Sequence, residues 1–360
     1  MAKLPLMAQP DELSTAIDKA IADDQDMMPR KHLGGSIIGK NCSRQIWYGF
    51  RWTTFKRFDG RILRLFRRGH NEEHTINSDL RAIGIDVSEL SPQGHQWRVS
   101  ECHGHFGGSL DARLKNVPAA PKTEHVGEYK THGDKSFKAL QKHMVKESKP
   151  QHWVQMQVYM YLSKIKRALY VSINKNTDHY YTERVKLDVP AAKAAIEKAN
   201  VIIFGGDIPQ KLSESPAYFE CKFCDETEVC HGQGVPAPTC RSCSFAQPVK
   251  TGDGVWHCSK FEKDLSYQDQ VGGCQSHIFI PALLHNIAEF TGFDIDSGVT
   301  SYKHKQSGKA FHNGPRNENN TYSSPELYEL RGSTAMLGDE NFNDLRDSFN
   351  GTVVGQVPND

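Results

Sequence analysis

Apolar residues recur at helical spacing over 11–24, where Leu13, Ala16, Ile17, Ala20 and Ile21 share one face. The Gly34-Gly35 pair breaks that pattern. Helical periodicity returns over 41–52, in a basic helix continuing through about 66–82, and in long segments at 134–147, 150–165 and 189–203. Strand-like alternation appears at 95–100, 105–115, 123–131, 168–175 and 179–187. NVPAAPK (116–122) and NKNTD (174–178) read as turns between pairs of these strands. Strands mixed with helices predict an α/β (α+β) core over roughly 30–215. Past it, periodicity fades. Residues 219–280 hold seven of the nine cysteines with Gly and Pro between them, and 281–360 are polar with weak strand signals. The predicted layout is an N-terminal helical segment (1–30), a core domain (31–235), a Cys-rich metal module (236–280) and a short irregular or β tail (281–360).

Composition narrows the class. Among 360 residues, 44 Lys+Arg against 43 Asp+Glu leave a net charge of +1; with 38% hydrophobic residues and a mean hydropathy of −0.59, the chain suits a folded globular protein rather than a disordered one. No run approaches the ~18 apolar residues of a membrane span, and MAKLPLMAQPDEL lacks the apolar centre of a signal peptide. No membrane partner and a cytoplasmic location are therefore expected, and there nine cysteines suggest metal ligands more than disulfides. The neutral total conceals local charge. Residues 51–68 carry seven Arg/Lys interleaved with aromatics, including Arg64, Arg67 and Arg68, and Lys130, Lys135, Lys138, Lys142, Lys146 and Lys149 follow. Such stretches track a nucleic-acid backbone or form a solvated face. Trp47, Tyr48, Phe50 and Trp52 would stack on unpaired bases or pack in the core.

A metal-dependent phosphodiesterase needs carboxylates for Mg²⁺ or Mn²⁺ and a cation for the attacking water or the developing charge. Glu-x-Lys supplies part of that set and occurs three times, at 128–130, 147–149 and 220–222. Only the first lies in a strand pattern, HVGEYKT, whose period places Glu128 and Lys130 on one face. Only the first has an upstream hairpin partner, GGSLDARL, with Asp111 in mid-strand. Asp111 would share a metal with Glu128 or make a hairpin salt bridge. In the 150–165 helix Gln155 and Tyr159 share a face, and Glu73 lies on the same helical face as Ile76 and Leu80. An acid on an apolar face needs a partner or a cation.

The order Arg68-Gly69-x-x-x-Glu73, Asp111, Glu128-x-Lys130, Gln155-x-x-x-Tyr159 resembles the PD-(D/E)XK nuclease superfamily, in its RecB-type and phage lambda-exonuclease-type branch. The resemblance covers about 30–235. It implies a restriction-endonuclease-like central mixed sheet flanked by helices. Glu73, Asp111 and Glu128 would be metal-side carboxylates and Lys130 the catalytic lysine, with Gln155 supporting the site and Tyr159 lining it. Glu72 stands where many relatives have histidine, which favours the lambda-exonuclease form and leaves His70 and His74 without an assigned role. Lambda-type relatives grip a 5′-terminal phosphate with an arginine, for which Arg44 and Arg51 are the candidates. The implied function is a DNA exonuclease of phage replication or recombination, working beside a single-strand-annealing or single-strand-binding protein. A DNA endonuclease and a non-catalytic nucleic-acid-binding protein on the same fold are the alternatives.

The cysteines form two sets and a remainder. Cys221-x2-Cys224-x5-Cys230 lacks a fourth ligand, which His231 or the distant Cys42 would supply. One cysteine before the nuclease motifs and three after them resembles iron–sulfur nucleases of the RecB type and of CRISPR adaptation. That implies a [4Fe–4S] cluster on Cys42, Cys221, Cys224 and Cys230, with zinc as the alternative. Cys240-x2-Cys243-x14-Cys258-x15-Cys274 opens like a structural Zn²⁺ site, with His257 and His277 as spare ligands. Cys102 remains, read as an ordinary buried thiol.

Overall fold

The structure is a computed structural model, and it describes residues 11–25, 28–118, 120–316 and 320–354. The outermost parts of the expected segments 1–30 and 281–360 therefore lie outside the described residues. The fold is α+β, as the periodicities predict. Packing divides the chain into two units, each discontinuous in sequence: residues 1–28, 56–99 and 109–189 form one, and 29–55, 100–108 and 190–360 the other.

The first unit holds α1 (Glu12–Asp23), α2 (Gly60–Ala82), β1 (Asp86–Ser88), β2 (Ala112–Lys115), β3 (His125–His132), α3 (Asp134–Ser148), α4 (Pro150–Ser163), β4 (Arg167–Asn174) and β5 (Tyr180–Lys186). Its sheet runs in the order β1-β2-β3-β4-β5. Only β3 and β4 are parallel, and the crossover between them carries α3 and α4. The helix expected from about residue 66 starts earlier, because the Asp59 carboxylate accepts from the Ile62 N–H (2.8 Å) and caps it at Gly60. One face of the sheet carries Ala112, Leu114, Tyr129, Leu169, Val171 and Ile173, covered by Ile76 and Leu80 of α2. This apolar layer holds the strands level, so that β3 offers its alternate residues to the opposite face.

The second unit contains the helix Ser43–Phe50 and all but the first residue of the helix Val189–Phe204. An antiparallel sheet of Ala246–Pro248, Trp256–Cys258 and Lys263–Leu265 lies in the Cys-rich stretch. The weak strand signals of 281–360 resolve into four paired strands, Ala288–Asp294, Val299–His304, Ala310–Asn313 and Thr321–Tyr322. Phe279, Ile287, Tyr302, Phe311, Tyr322, Leu327 and Leu337 pack as their core. The aromatics sit singly among polar residues in the sequence, which is why so little of this core shows in local periodicity. Among the described residues no helix is long and apolar enough to cross a membrane.

Candidate active site

The site grows from β2 and β3. Their ladder pairs Ala112 with Gly127, and one step further the antiparallel register brings Asp111 level with Glu128. Asp111 is not in mid-strand as expected. The strand breaks at Leu110-Asp111, between Phe106–Ser109 and β2, so its carboxylate turns to the ladder edge, where Oδ2 accepts the Tyr129 N–H at 2.7 Å. Glu128, Lys130 and His132 alternate along the same face of β3, beside Tyr170, Ser172 and Asn174 of β4. α4 lies over them. Gln155 donates Nε2 to Glu128 Oε2 at 3.1 Å, while Lys130 donates Nζ to Glu128 Oε1 and to the Tyr129 carbonyl. Tyr159 is buried on the same helix and acts electrostatically on Lys130. Glu73 of α2 is half-buried, and Asp111, His70 and Lys130 are among the charges it feels.

Electrostatics mark this as an unusual place. Glu128 has no exposed surface. Its carboxyl is raised to about 7, chiefly by burial, with Lys130 pulling it down and Asp111 and Glu73 adding to the rise. Asp111 is raised by burial against the pull of Lys130, and Glu73 is raised by burial and then by Asp111. Burial works against the Lys130 charge, yet Glu128 and Asp111 outweigh it and keep the amine protonated. Three carboxylates facing one lysine leave a deficit of positive charge. Among the described residues no group of three or more His, Cys, Asp or Glu side chains closes on a common point. Mg²⁺ is usually held by one or two carboxylates with water and substrate phosphate, so this donor set still fits it.

Of the other two Glu-x-Lys tripeptides, Glu147-Ser148-Lys149 spans the end of α3, and Glu220-Cys221-Lys222 sits on the short helix Phe219–Lys222. The arginines divide as well. Arg44 and Arg51 do not offer themselves to DNA: both are buried, Arg44 donating Nε to the Pro209 carbonyl (2.5 Å), and Arg51 donating to the carbonyls of Arg241 and Ala246 beneath Trp47 and Trp256. Trp47, Tyr48, Phe50 and Trp52 are buried with them, so they are core rather than stacking platforms. Arg64 pairs with Asp18, and Arg68 with Glu72 (3.8 Å) and the Lys175 carbonyl (3.1 Å). Arg67 stays exposed on α2. Spacing alone did not reveal a second group beside Lys130. The Tyr170 hydroxyl bridges His132 Nε2 (2.9 Å) and His152 Nδ1 (3.0 Å), with the two imidazoles stacked at 5.9 Å.

In the second unit, Cys42, Cys221, Cys224 and Cys230 line one small pocket, together with His231. Cys42 sits at the N-cap of Ser43–Phe50, its Sγ accepting the Gln45 N–H at 3.4 Å. Cys240 and Cys243 share a 3₁₀ turn, Cys258 ends a strand, and Cys274 follows the helix Tyr267–Gly272. Burial, then Cys243, Cys274 and Cys258, pushes the Cys240 thiol up to about 12. His277 is buried, with Nε2 held between the Thr239 carbonyl (2.8 Å) and Ser242 Oγ (3.2 Å). His257 pairs with Asp264 at 3.0 Å. Cys102 is buried, as an ordinary thiol would be.

No protein-family model matches the sequence, and no curated protein matches it either. Among solved structures, SSO0001 is similar at 14% identity with a TM-score of 0.36, over 61% of this chain and 96% of that one. The alkaline exonuclease LHK-Exo from Laribacter hongkongensis, solved alone and in complex with dAMP, is similar at 14% identity and a TM-score of 0.34, over 52% of this chain and 90% of that one.

Proposed function

We propose that this protein is a divalent-metal-dependent nuclease that hydrolyses phosphodiester bonds of DNA. The observation that carries the reading is the meeting of Asp111, Glu128 and Lys130 on one sheet face, under a Gln155 that fixes the Glu128 carboxylate. Glu73, Asp111 and Glu128 would hold Mg²⁺ or Mn²⁺. When bound, that ion supplies Lewis-acid polarisation of a phosphoryl oxygen and acidifies a water molecule. The chain's own residues do the rest. Gln155 occupies one oxygen of Glu128 and so orients the other. The Lys130 ammonium, kept protonated by its acidic neighbours, stands where negative charge builds on the phosphoryl oxygens, and stabilises it without reorganising. The exposed cations Arg67, Lys138, Lys142 and Lys146 suit a sequence-independent grip on the backbone.

The finer reading, resting on the resemblance of the motifs, is an exonuclease on linear DNA in phage replication or recombination. Cys42, Cys221, Cys224 and Cys230 would hold a [4Fe–4S] cluster that ties the unit together. That these four cysteines, far apart in sequence, line one pocket supports the reading.

The test uses protein purified without oxygen, given Mg²⁺ and linear duplex labelled at one 5′ end, beside a closed circle and the Lys130→Ala variant. Progressive loss of the linear DNA, survival of the circle and a dead variant that still binds DNA within a few fold are expected. A cut circle would make this an endonuclease. Binding without any cleavage by the intact chain would leave a nucleic-acid-binding protein.

A further inference from the structure

Lys130 is not the last polar group on its face of the sheet. Two residues on, His132 is buried, its Nδ1 meeting Ser136 Oγ at 3.3 Å and its Nε2 meeting the Tyr170 hydroxyl. Tyr170 is the cross-strand neighbour of Glu128. Its hydroxyl also meets His152 Nδ1. His152 lies one turn before Gln155 on α4, so the helix that orients Glu128 also carries this ring. A hydroxyl that bridges two imidazoles fixes the ring plane of both. The chain of contacts from Ser136 ends at His152 Nε2, which has no hydrogen-bond partner among the described residues, on a half-buried ring.

Lys149 is the N-cap residue of α4, which carries His152 in its first turn, and its charge is felt by both His132 and His152. It is half-buried, and among the described residues no carboxylate pairs with it. A partly desolvated cation without an anion is costly unless an anion arrives. Lys130 cannot relieve it, being a cation already engaged by Glu128. Burial first, and then Lys149 for His132 and Lys130 for His152, hold the two histidines down at about 4 and about 3, so both rings are neutral near pH 7.

We propose that Lys149 and His152 form a subsite for one internal phosphodiester of the nucleic acid, adjacent to the phosphate that is cleaved. The assignment rests on the nuclease reading above. In the tautomer in which the Tyr170 hydroxyl donates to His152 Nδ1, His152 Nε2 carries the proton, and one cation with one neutral N–H donor suits a monoanion, whereas a terminal phosphate monoester approaches a dianion. Tyr170 and His132 are positioning residues, acting through the orientation of His152.

The experiment measures binding of short duplexes in Ca²⁺ by the full chain and by Lys149→Ala, Lys149→Gln and His152→Ala, over a salt series. The duplexes carry single methylphosphonates at successive positions, with either a 5′-phosphate or a 5′-hydroxyl. Removing Lys149 is expected to weaken binding about tenfold and lower the salt slope by about 1. One methylphosphonate position should cost the wild type a similar factor and cost the Lys149 variants nothing more. In Mg²⁺, KM should rise more than kcat falls. Thermal melting screens each variant, and Lys149→Gln serves if Lys149→Ala is unstable. An unchanged salt slope with additive methylphosphonate penalties in the folded variants overturns the subsite. A penalty present only with the 5′-phosphate overturns the internal diester in favour of a terminal one. Absence of cleavage by the intact chain in Mg²⁺ would instead remove the nuclease reading, and the binding results stand apart from it.

Discussion

Glu128 is sealed from solvent, and its acid form persists up to about pH 7 because burial disfavours the anion. A divalent ion must displace that proton. Apparent Mn²⁺ affinity is therefore expected to rise about tenfold per pH unit below ~7 and level off above it. Calorimetric titration between pH 5.5 and 8.5 measures this, and Glu128→Gln should lose the dependence along with most of the affinity. For stability without metal the sign reverses. The folded value lies above the ordinary 4.5, so the contribution is complete below about 4.5 and is lost as pH rises through about 7. Metal-free Tm should fall across that window in the wild type and less in Glu128→Gln; equal slopes would show that Glu128 is not the buried acid described. At this scale the strand period was enough to pair Glu128 with Lys130. It could not give the fate of Arg44 and Arg51, whose burial depends on distant carbonyls and tryptophans, nor the His132–Tyr170–His152 contact between three separate elements.

Among elements, α3 and the α1–α2 contact carry readable strain. Met144 interrupts α3 with φ 59° and ψ 172°, a region nearly reserved for glycine, and its side chain is exposed. Met144→Gly should therefore stabilise the protein by about 1 kcal/mol in urea unfolding, against the usual destabilisation by glycine in a helix. Gly60 opens α2 against the backbone of α1, where an added Cβ would stand 2.6 Å from the Asp18 Cα. Gly60→Ala should cost about 1–3 kcal/mol by forcing the helices apart, read as a lower urea midpoint with an unchanged slope. The longer helices and strands over 11–204 were legible where a buried face repeats with the element's own period, whereas the three-residue β1 was too short to show one. The break at Leu110-Asp111 was not, since Leu110, Ala112 and Leu114 keep the two-residue alternation running across it.

For the molecule as a whole, Cys42 comes from far upstream of Cys221, Cys224 and Cys230 and meets them around one cavity. If these four hold an iron–sulfur cluster, Cys42→Ala should bleach the visible absorption as completely as Cys224→Ala, with iron content falling in parallel. Retained colour in the Cys42 variant would return the fourth position to His231. The thiols of Cys240, Cys243, Cys258 and Cys274 are one electrostatic neighbourhood, and zinc analysis of the same preparations tests the expected Zn²⁺ there.

The sequence by itself determined the longer helices and strands of 11–204, the strand that carries Glu128 and Lys130, and the two cysteine sets, because backbone periodicity and ligand spacing are local properties. Tertiary structure alone decided which cations stay in water, that Asp111 meets the Tyr129 amide at the end of a strand, that His277 Nε2 meets the Thr239 carbonyl, and that the strands after 281 pack on an aromatic core that includes Phe279. Burial and desolvation sum over neighbours remote in the chain, so no local pattern records them.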